Sequence, residues 1–453
     1  MPSFHIVRRL TGRSVRPVTV DDARKAPSES RVEGPADRIS YRQLLRTPGL
    51  SALLGSIGLM RFGGGLMELT LILYSLQEWD SPELVGIVVL AGWLPGILTS
   101  PIAGLLMDTR RRAPLMALDA CMAAIQAFGI VALARAGLLD PWLLVTIVAV
   151  ASLTIPFGDT GKRTLLAVIP HHSHWDRTNA LESAFGSVMT TAAPAVAGLL
   201  IGIGTGELGV AVAGVCLLAA ALTLLRTNEP APHASRHIDW RRAFTELRDA
   251  WRAPIVRGLA LTVFVDDLAF GILQVAVPVW MLERFGATGF LVGAVWSAFN
   301  LSSFGVTLAL GAVGTAGREP RVVTLALGVQ IVGLLLLLVG GAPWWTIACM
   351  AIAGASIGPI DVAMFSMLQR TVPPDRLARS NAIALMVVAL GIPIGAVIGG
   401  LVAAAKPSAA LALAPLMAVI AATIGKVLLR ESPQMTPPAR RYQGYPSSGK
   451  TPS

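Results

Sequence analysis

From Gly49 to Leu429 the chain is a succession of long apolar runs separated by short polar gaps. Twelve of the runs reach roughly 18 residues or more, the length a helix needs to cross the hydrocarbon of a bilayer. The pattern predicts spans over 49–76, 84–107, 113–135, 141–161, 177–203, 207–226, 255–282, 287–314, 321–340, 343–367, 380–404 and 407–430. The expected fold class is therefore an all-α polytopic membrane protein. Residues 1–46 and 431–453 are polar and lack such runs; they read as disordered tails.

Composition agrees with the pattern. Of 453 residues 54% are hydrophobic and 14% charged, and the mean hydropathy of +0.64 lies well above that of soluble domains. A net charge of +10 raises the question of a nucleic-acid partner. Placement answers it. All of the 37 Lys and Arg except Arg61, Arg135, Arg284 and Lys406 fall in the tails or around the even-numbered gaps. That is the positive-inside bias of a plasma-membrane protein with both termini cytosolic, and no nucleic acid is expected. Cys121, Cys216 and Cys349 all lie within spans, so no disulfide framework is indicated. His171, His172 and His174 share a loop with no positioned acid or thiol, so no metal is expected. The Gly-Ala-Ser-Ile-Gly run at 354–358 lies inside an apolar span rather than at a strand-to-helix turn. With no phosphate-binding loop either, the expectation is a chain that is not an enzyme and carries no cofactor.

The chain resembles itself. Displaced by 202 residues, Asp159 falls on Asp361, Leu166 on Leu368, Arg177 on Arg379, Asn179 on Asn381 and Gly198 on Gly400. Displaced by 207, Leu84-Val85-Gly86 falls on Leu291-Val292-Gly293 and Gly104 on Gly311. Displaced by 206, Gly65 falls on Gly271, Glu68 on Gln274 and Arg61 on Asp267. Two pseudo-symmetric six-helix bundles, 47–226 and 255–430, are thus expected about an axis along the membrane normal, with a site near the midplane where they meet. In the connector 227–254, Trp240, Phe244, Leu247 and Trp251 share one helical face, which predicts an amphipathic helix at the cytosolic interface.

Charges inside the membrane carry the candidate chemistry. Arg61 lies about a dozen residues into the first span, where a charge costs on the order of 2.5–3.5 kcal/mol and requires a partner or a wet cavity. Glu68 shares its face two turns on, and Asp266 and Asp267 lie at comparable depth in the seventh span. These side chains are expected to turn toward a shared cavity, Arg61 facing the two aspartates across it. Three carboxylates against one arginine leave an acid free to exchange protons; a purely structural ion pair is the competing reading. Gln274 and Asn300 are further cavity candidates, Gln330 an interhelical tie or cavity group, and Asp119 a partner for the basic loop that precedes it.

At the end of the second span the chain reads GLLMDTRRRAP. This resembles the cytoplasmic-loop signature of the major facilitator superfamily, G-x-x-x-D-R-x-G-R-R/K, with Gly104, Asp108 and Arg112 in register. The resemblance implies a latch in which the aspartate caps an opposing helix and pairs with Arg112 when the cytosolic side is shut. In the second half Gly311 remains, but Thr315 takes the aspartate position. SPELVGIVVLAGWLP, KRTLLAVIP and RTNAL resemble the twelve-helix drug:proton antiporters of the macrolide-efflux-like branch. APAVAG resembles their G-P-x-x-G-G motif, with Ala193 and Ala197 in place of two glycines. Asp159 and Asp361, repeat mates beside basic residues, are expected to form salt bridges of a cytosolic gate with Arg163 and Arg379, substrate ligation being the competing reading, and Pro194 and Pro393, with Gly198 beside the first, are expected to kink gating helices. The function expected from all of this is proton-coupled efflux of amphipathic or apolar small molecules by a monomer working through alternating access. Export of one endogenous metabolite, such as a siderophore or lipid-like compound, and a non-transporting receptor on the same fold are the alternatives.

Overall fold

The computed structural model describes residues 41–171, 174–204, 206–227, 229, 248–315 and 317–428. Residues 1–40 and 431–453 of the predicted tails, His172 and the interfacial-helix residues Trp240, Phe244 and Leu247 lie outside them; the rest of the predicted N-terminal tail is ordered, a helical turn at Tyr41–Leu44 with Leu44 buried in the core. Twelve of the described helices are long and apolar enough to cross a membrane. In chain order they are α1 (Leu50–Trp79), α2 (Pro82–Thr109), α3 (Arg112–Arg135), α4 (Pro141–Val168), α5 (Trp175–Ile203) and α6 (Gly206–Leu224). The second six are α7 (Pro254–Phe285), α8 (Gly289–Val313), α9 (Glu319–Val339), α10 (Pro343–Thr371), α11 (Pro374–Val388 and Gly391–Ala405) and α12 (Pro407–Leu428).

Local chemistry sets the helix ends. Ser81 caps α2, its Oγ accepting from the Leu84 amide at 3.2 Å, and Asp140 caps α4 through the amides of Trp142 and Leu143. Proline occupies the first turn of α2, α4, α7, α9 and α10, where its missing N–H costs nothing. Inside the spans α4 breaks at Leu153–Thr154, α10 at Ala355–Ser356 and α11 at Ala389–Leu390. Pro393 accounts for the last break: its ring excludes the carbonyl four residues back, that of Ala389. Pro194 instead sits within a continuous α5.

The packing repeats with the sequence. In the first half α1 lies against α5 and α6, α3 against α4 and α6, and α2 against α4; in the second half α7, α8 and α9 make the same contacts with α10, α11 and α12. Between halves, extensive contact runs through α2 with α11 and α5 with α8. Exposed large side chains such as Leu98, Ile125, Trp142, Leu325, Val339 and Leu401 ring the outside, as lipid contact requires.

The halves meet at one end only. Call the end where α1 begins and α2 finishes the basic end, after Arg110, Arg111 and Arg112. At the opposite end one hydrophobic core is shared by both halves, from Leu66–Leu76 and Leu84–Val89 to Ala269–Met281 and Val292–Phe299. At the basic end the core is split in two. One part is built from Leu50, Leu53, Met116 and Leu165, the other from Val256, Leu259, Leu327 and Met364. The basic-end segments Ile155–Val168, Ile357–Thr371 and Pro374–Val388 pack extensively only within their own half. A lumen between the halves therefore opens at the basic end and is sealed at the other.

Candidate functional site

Glycines make the seal. A Cβ on Gly86 of α2 would fall on the backbone of Ala396 and Val397 in α11, and one on Gly400 would fall on Pro82. The mirrored contact puts Gly293 of α8 on the Pro194 carbonyl of α5, and Gly198 on Gly289. Gly86 and Gly293 are repeat mates, as are Gly198 and Gly400, so the two contacts are one arrangement used twice. Gly104 and Gly311, mates at the basic end, have nothing within reach of a Cβ. No other helix approaches closely there, where the halves have parted.

Polar bonds across the seal are few. Ser297 of α8 donates to the Thr191 carbonyl at 2.8 Å, and Asn300 Nδ2 donates to the Thr190 carbonyl at 3.3 Å. Pro194 explains the second bond: having no N–H, it leaves the Thr190 carbonyl without its helical donor. Asn300 is thus an interhelical tie. Gln274 of α7 donates to Glu68 of α1 at 2.8 Å, with Trp93 beside the carboxylate.

The embedded arginine has a different partner from the one expected. Arg61 Nη2 lies 2.5 Å from Glu182 Oε1 on α5, and no ion pair joins it to Asp266 or Asp267. Its guanidinium rests against Gly186, one turn beyond Glu182, where any side chain would collide with it. α5 therefore provides both the counter-charge and the space. Around this pair Lys162, Arg163, Leu166 and Asn179 complete an open cavity of about 300 Å³. Lys162 donates to Asp159 at 3.2 Å, an exposed pair within α4.

The second half carries the opposite charge. Asp266 is turned away from the lumen: it is buried at 3% exposure beside Gln330 of α9, with its Oδ1 unpartnered. The expectation that it faces the cavity fails because its position on α7 points into its own bundle. Asp267, half-buried, lies against Gly391, and Asp361 of α10 is near both. None of the three has an ion pair among the described residues. Gly395 and Gly399 seat α11 on Leu268 and Ile272 of α7, so the glycine row in α11 joins helices within this half.

The breaks in α4 and α10 are equivalent. Thr154 donates to Asp119 of α3 at 2.9 Å, and Ser356, its mate at the same displacement of 202, donates to Gln330 of α9 at 3.2 Å. Asp119 is thus a buried interhelical acceptor and makes no pair with the basic loop.

The latch residues are apart. Asp108 is exposed with no ion pair among the described residues, and Arg112 pairs instead with Glu229, just past α6, at 3.4 Å. Glu229 also accepts from the amides of Arg112 and Ala113, at 2.7 and 3.0 Å, capping α3 where Asp108 might have been expected to pair. Arg163 and Arg379 are both exposed at the basic end. Glu319, fully buried at the start of α9, lies 3.1 Å from Arg370.

Two six-helix halves, an axial lumen and a one-ended seal agree with a family model, that of the Major Facilitator Superfamily, which matches residues 53–265 and 259–449. The chain belongs to the major facilitator superfamily. As members of this superfamily are transporters, so is this multi-pass membrane protein. It is 34% identical over 402 residues to the MFS-type transporter y4rN of Sinorhizobium fredii, covering 85% of this chain and 96% of that one. Over 298 residues it is 26% identical to the multidrug efflux pump Tap of Mycobacterium tuberculosis, covering 63% of this chain and 70% of Tap. Among solved structures the nucleoside transporter NupG superposes with a TM-score of 0.68 at 13% identity, covering 84% of this chain and 99% of NupG. That likeness is one of superfamily fold.

One residue of this transporter's lumen escaped the sequence reading, Glu182. A signal for Glu182 existed: it is an acid within an apolar span whose repeat mate is Ala384.

Proposed function

We propose that this transporter exports amphipathic or apolar small molecules from the cytosol in exchange for protons, by alternating access. The observation that carries the reading is the lumen itself, sealed by paired glycine contacts at one end and open at the other, with Asp267 and Asp361 of the second half close together and without an ion pair among the described residues. Acids near a lumen and free of a salt bridge are groups that can take and release a proton as the lumen changes sides. The likeness to Tap supports efflux over uptake. With the basic end taken as cytosolic, on the bias of Lys and Arg, both termini are cytosolic and the lumen faces the cytosol. The plasma membrane is the proposed location, and the seal between the halves of a single chain supports a monomer as the working unit.

Reconstitution tests it. In liposomes with an imposed pH gradient, a panel of anionic, neutral and cationic amphipathic dyes is expected to include some whose movement follows the gradient and carries protons the other way. Asp267→Asn is expected to abolish that coupling while insertion persists. Transport indifferent to the gradient, or fully coupled transport in both Asp267→Asn and Glu68→Gln, would overturn the proposal.

A further inference from the structure

The first half gathers cations at the basic end of the lumen, and their arrangement bears on what the lumen accepts. On the first-half wall Arg61, Lys162 and Arg163 surround the 300 Å³ cavity, with Asn179 as a neutral hydrogen-bonding group and Leu166 as an apolar one. The acids nearby, Glu182 and Asp159, are each held by a cation, Arg61 and Lys162. Arg163 has no ion pair among the described residues. Glu182 engages one terminal nitrogen of Arg61, which leaves further N–H donors of a guanidinium that remains 31% exposed. Gly186 leaves the room that this guanidinium occupies beside α5. In the second half Asp267 is half-buried and Asp361 exposed, the two close to one another.

We propose that this cavity binds the acidic group of the transported molecule, so that the preferred substrates are amphipathic organic anions: a carboxylate, sulfonate or phosphate on an apolar body. The proposal rests on the reading of the lumen as the substrate path. A planar guanidinium fits a two-oxygen acid, and charge-assisted bonds of this kind are about twice as strong as neutral ones. The acidic group would compete with Glu182 for Arg61 and take Arg163 as second cation. The cavity has room for an acid group and a small ring, and the apolar body would extend into the open lumen. An anionic lipid headgroup presents the same chemistry.

The test uses the full chain in phosphatidylcholine nanodiscs, with dansylglycine and its neutral amide as matched probes read by fluorescence anisotropy. The acid is expected to bind about tenfold or more tightly than the amide. Arg163→Gln and Arg61→Gln should each remove most of that preference, and Glu182→Gln should raise affinity for the acid severalfold by freeing Arg61. Arg163 is exposed, so its replacement guards against loss of the fold. Equal binding of acid and amide, a preference that survives in the Arg61→Gln/Arg163→Gln double variant, or no binding of either probe would overturn the proposal. Displacement of the acid by phosphatidylglycerol in the disc assigns the same site to a lipid headgroup; no displacement assigns it to soluble acids. No gradient exists in a nanodisc, so the result is independent of proton coupling. An acid preference here with gradient-indifferent transport in liposomes would sink the coupling alone.

Discussion

Gln274 donates to Glu68 at 2.8 Å, and the two are the same position of the repeat. Residues related by a two-fold axis can touch each other only beside that axis, so this bond places the axis between α1 and α7. Arg61 and Asp267 are also mates on these helices, about two turns nearer the basic end, and there no ion pair joins them. Moving along the axis, the halves pass from contact to separation within about 10 Å.

Breaking the axial bond should loosen the seal. Among the described residues Gln274→Leu removes the only donor that the second half gives Glu68, a change worth about 1–3 kcal/mol against the sealed form. Spin labels at Leu199 and Phe290, exposed positions at the sealed ends of α5 and α8, are expected to show an added population at longer distance. Glu68→Gln keeps an acceptor for Gln274 and should leave the distance unchanged. A seal indifferent to Gln274→Leu would mean that the glycine contacts alone hold it.

Those contacts are expected to tolerate no side chain. Gly86→Val and Gly293→Val place methyl groups on the backbone carbonyls of Ala396 and Pro194, which cannot swing aside as a side chain would. Each should lower transport at least about tenfold and lengthen the same label distance, with helical content kept. Gly104→Val meets open space in this state, so its stability should stay within about 0.5 kcal/mol of the parent. Its effect should appear in cycling, where the basic end must close. Loss of fold in Gly104→Val would contradict the open lumen.

The fold was legible in the sequence because its signals are linear. Twelve apolar runs require only counting, and the repeat requires only a displacement, which already paired Gly86 with Gly293 and Gly198 with Gly400, the glycines of the mirrored seal. Helix ends were misjudged where the lumen is wet. α4 runs on to Val168 and α11 begins at Pro374, through Asp159, Lys162 and Arg379, because side chains facing a water-filled path need not be apolar. Hydropathy stops at such residues although the helix does not. The partner of Arg61 was missed for another reason. Opposite signs at mated positions drew attention to Asp267, whereas Glu182 has an alanine mate and lies 121 residues from Arg61 along the chain. Only packing of α5 against α1 brings it near. The same holds for Thr154 with Asp119 and for Glu229 with Arg112.

Glu229 should matter to stability more than Asp108. Its buried carboxylate caps α3 through two amides and meets Arg112, so Glu229→Ala removes a helix cap and leaves Arg112 uncompensated. A loss of about 1–2 kcal/mol is expected in thermal unfolding of the purified protein. Asp108→Ala touches an exposed side chain and should cost under about 0.5 kcal/mol, while slowing transport if Asp108 latches the basic end when it closes. The reverse order of stability effects would place the cap of α3 on Asp108 instead.

The bond from Asn300 to Thr190 exists because Pro194 cannot supply one. Proline at position 194 withdraws the amide that would bond the Thr190 carbonyl within α5, and Asn300 crosses from α8 to replace it. Asn300→Leu should therefore cost about 1 kcal/mol in thermal stability. Pro194→Ala restores the missing N–H and keeps the carbonyl against which Gly293 packs, so α5 can satisfy Thr190 on its own. In that background Asn300→Leu should cost markedly less, a coupling of about 0.5 kcal/mol or more in a double-mutant cycle. If Asn300→Leu costs the same in both backgrounds, the proline is a bystander and the contact between α5 and α8 rests on the glycines and Ser297.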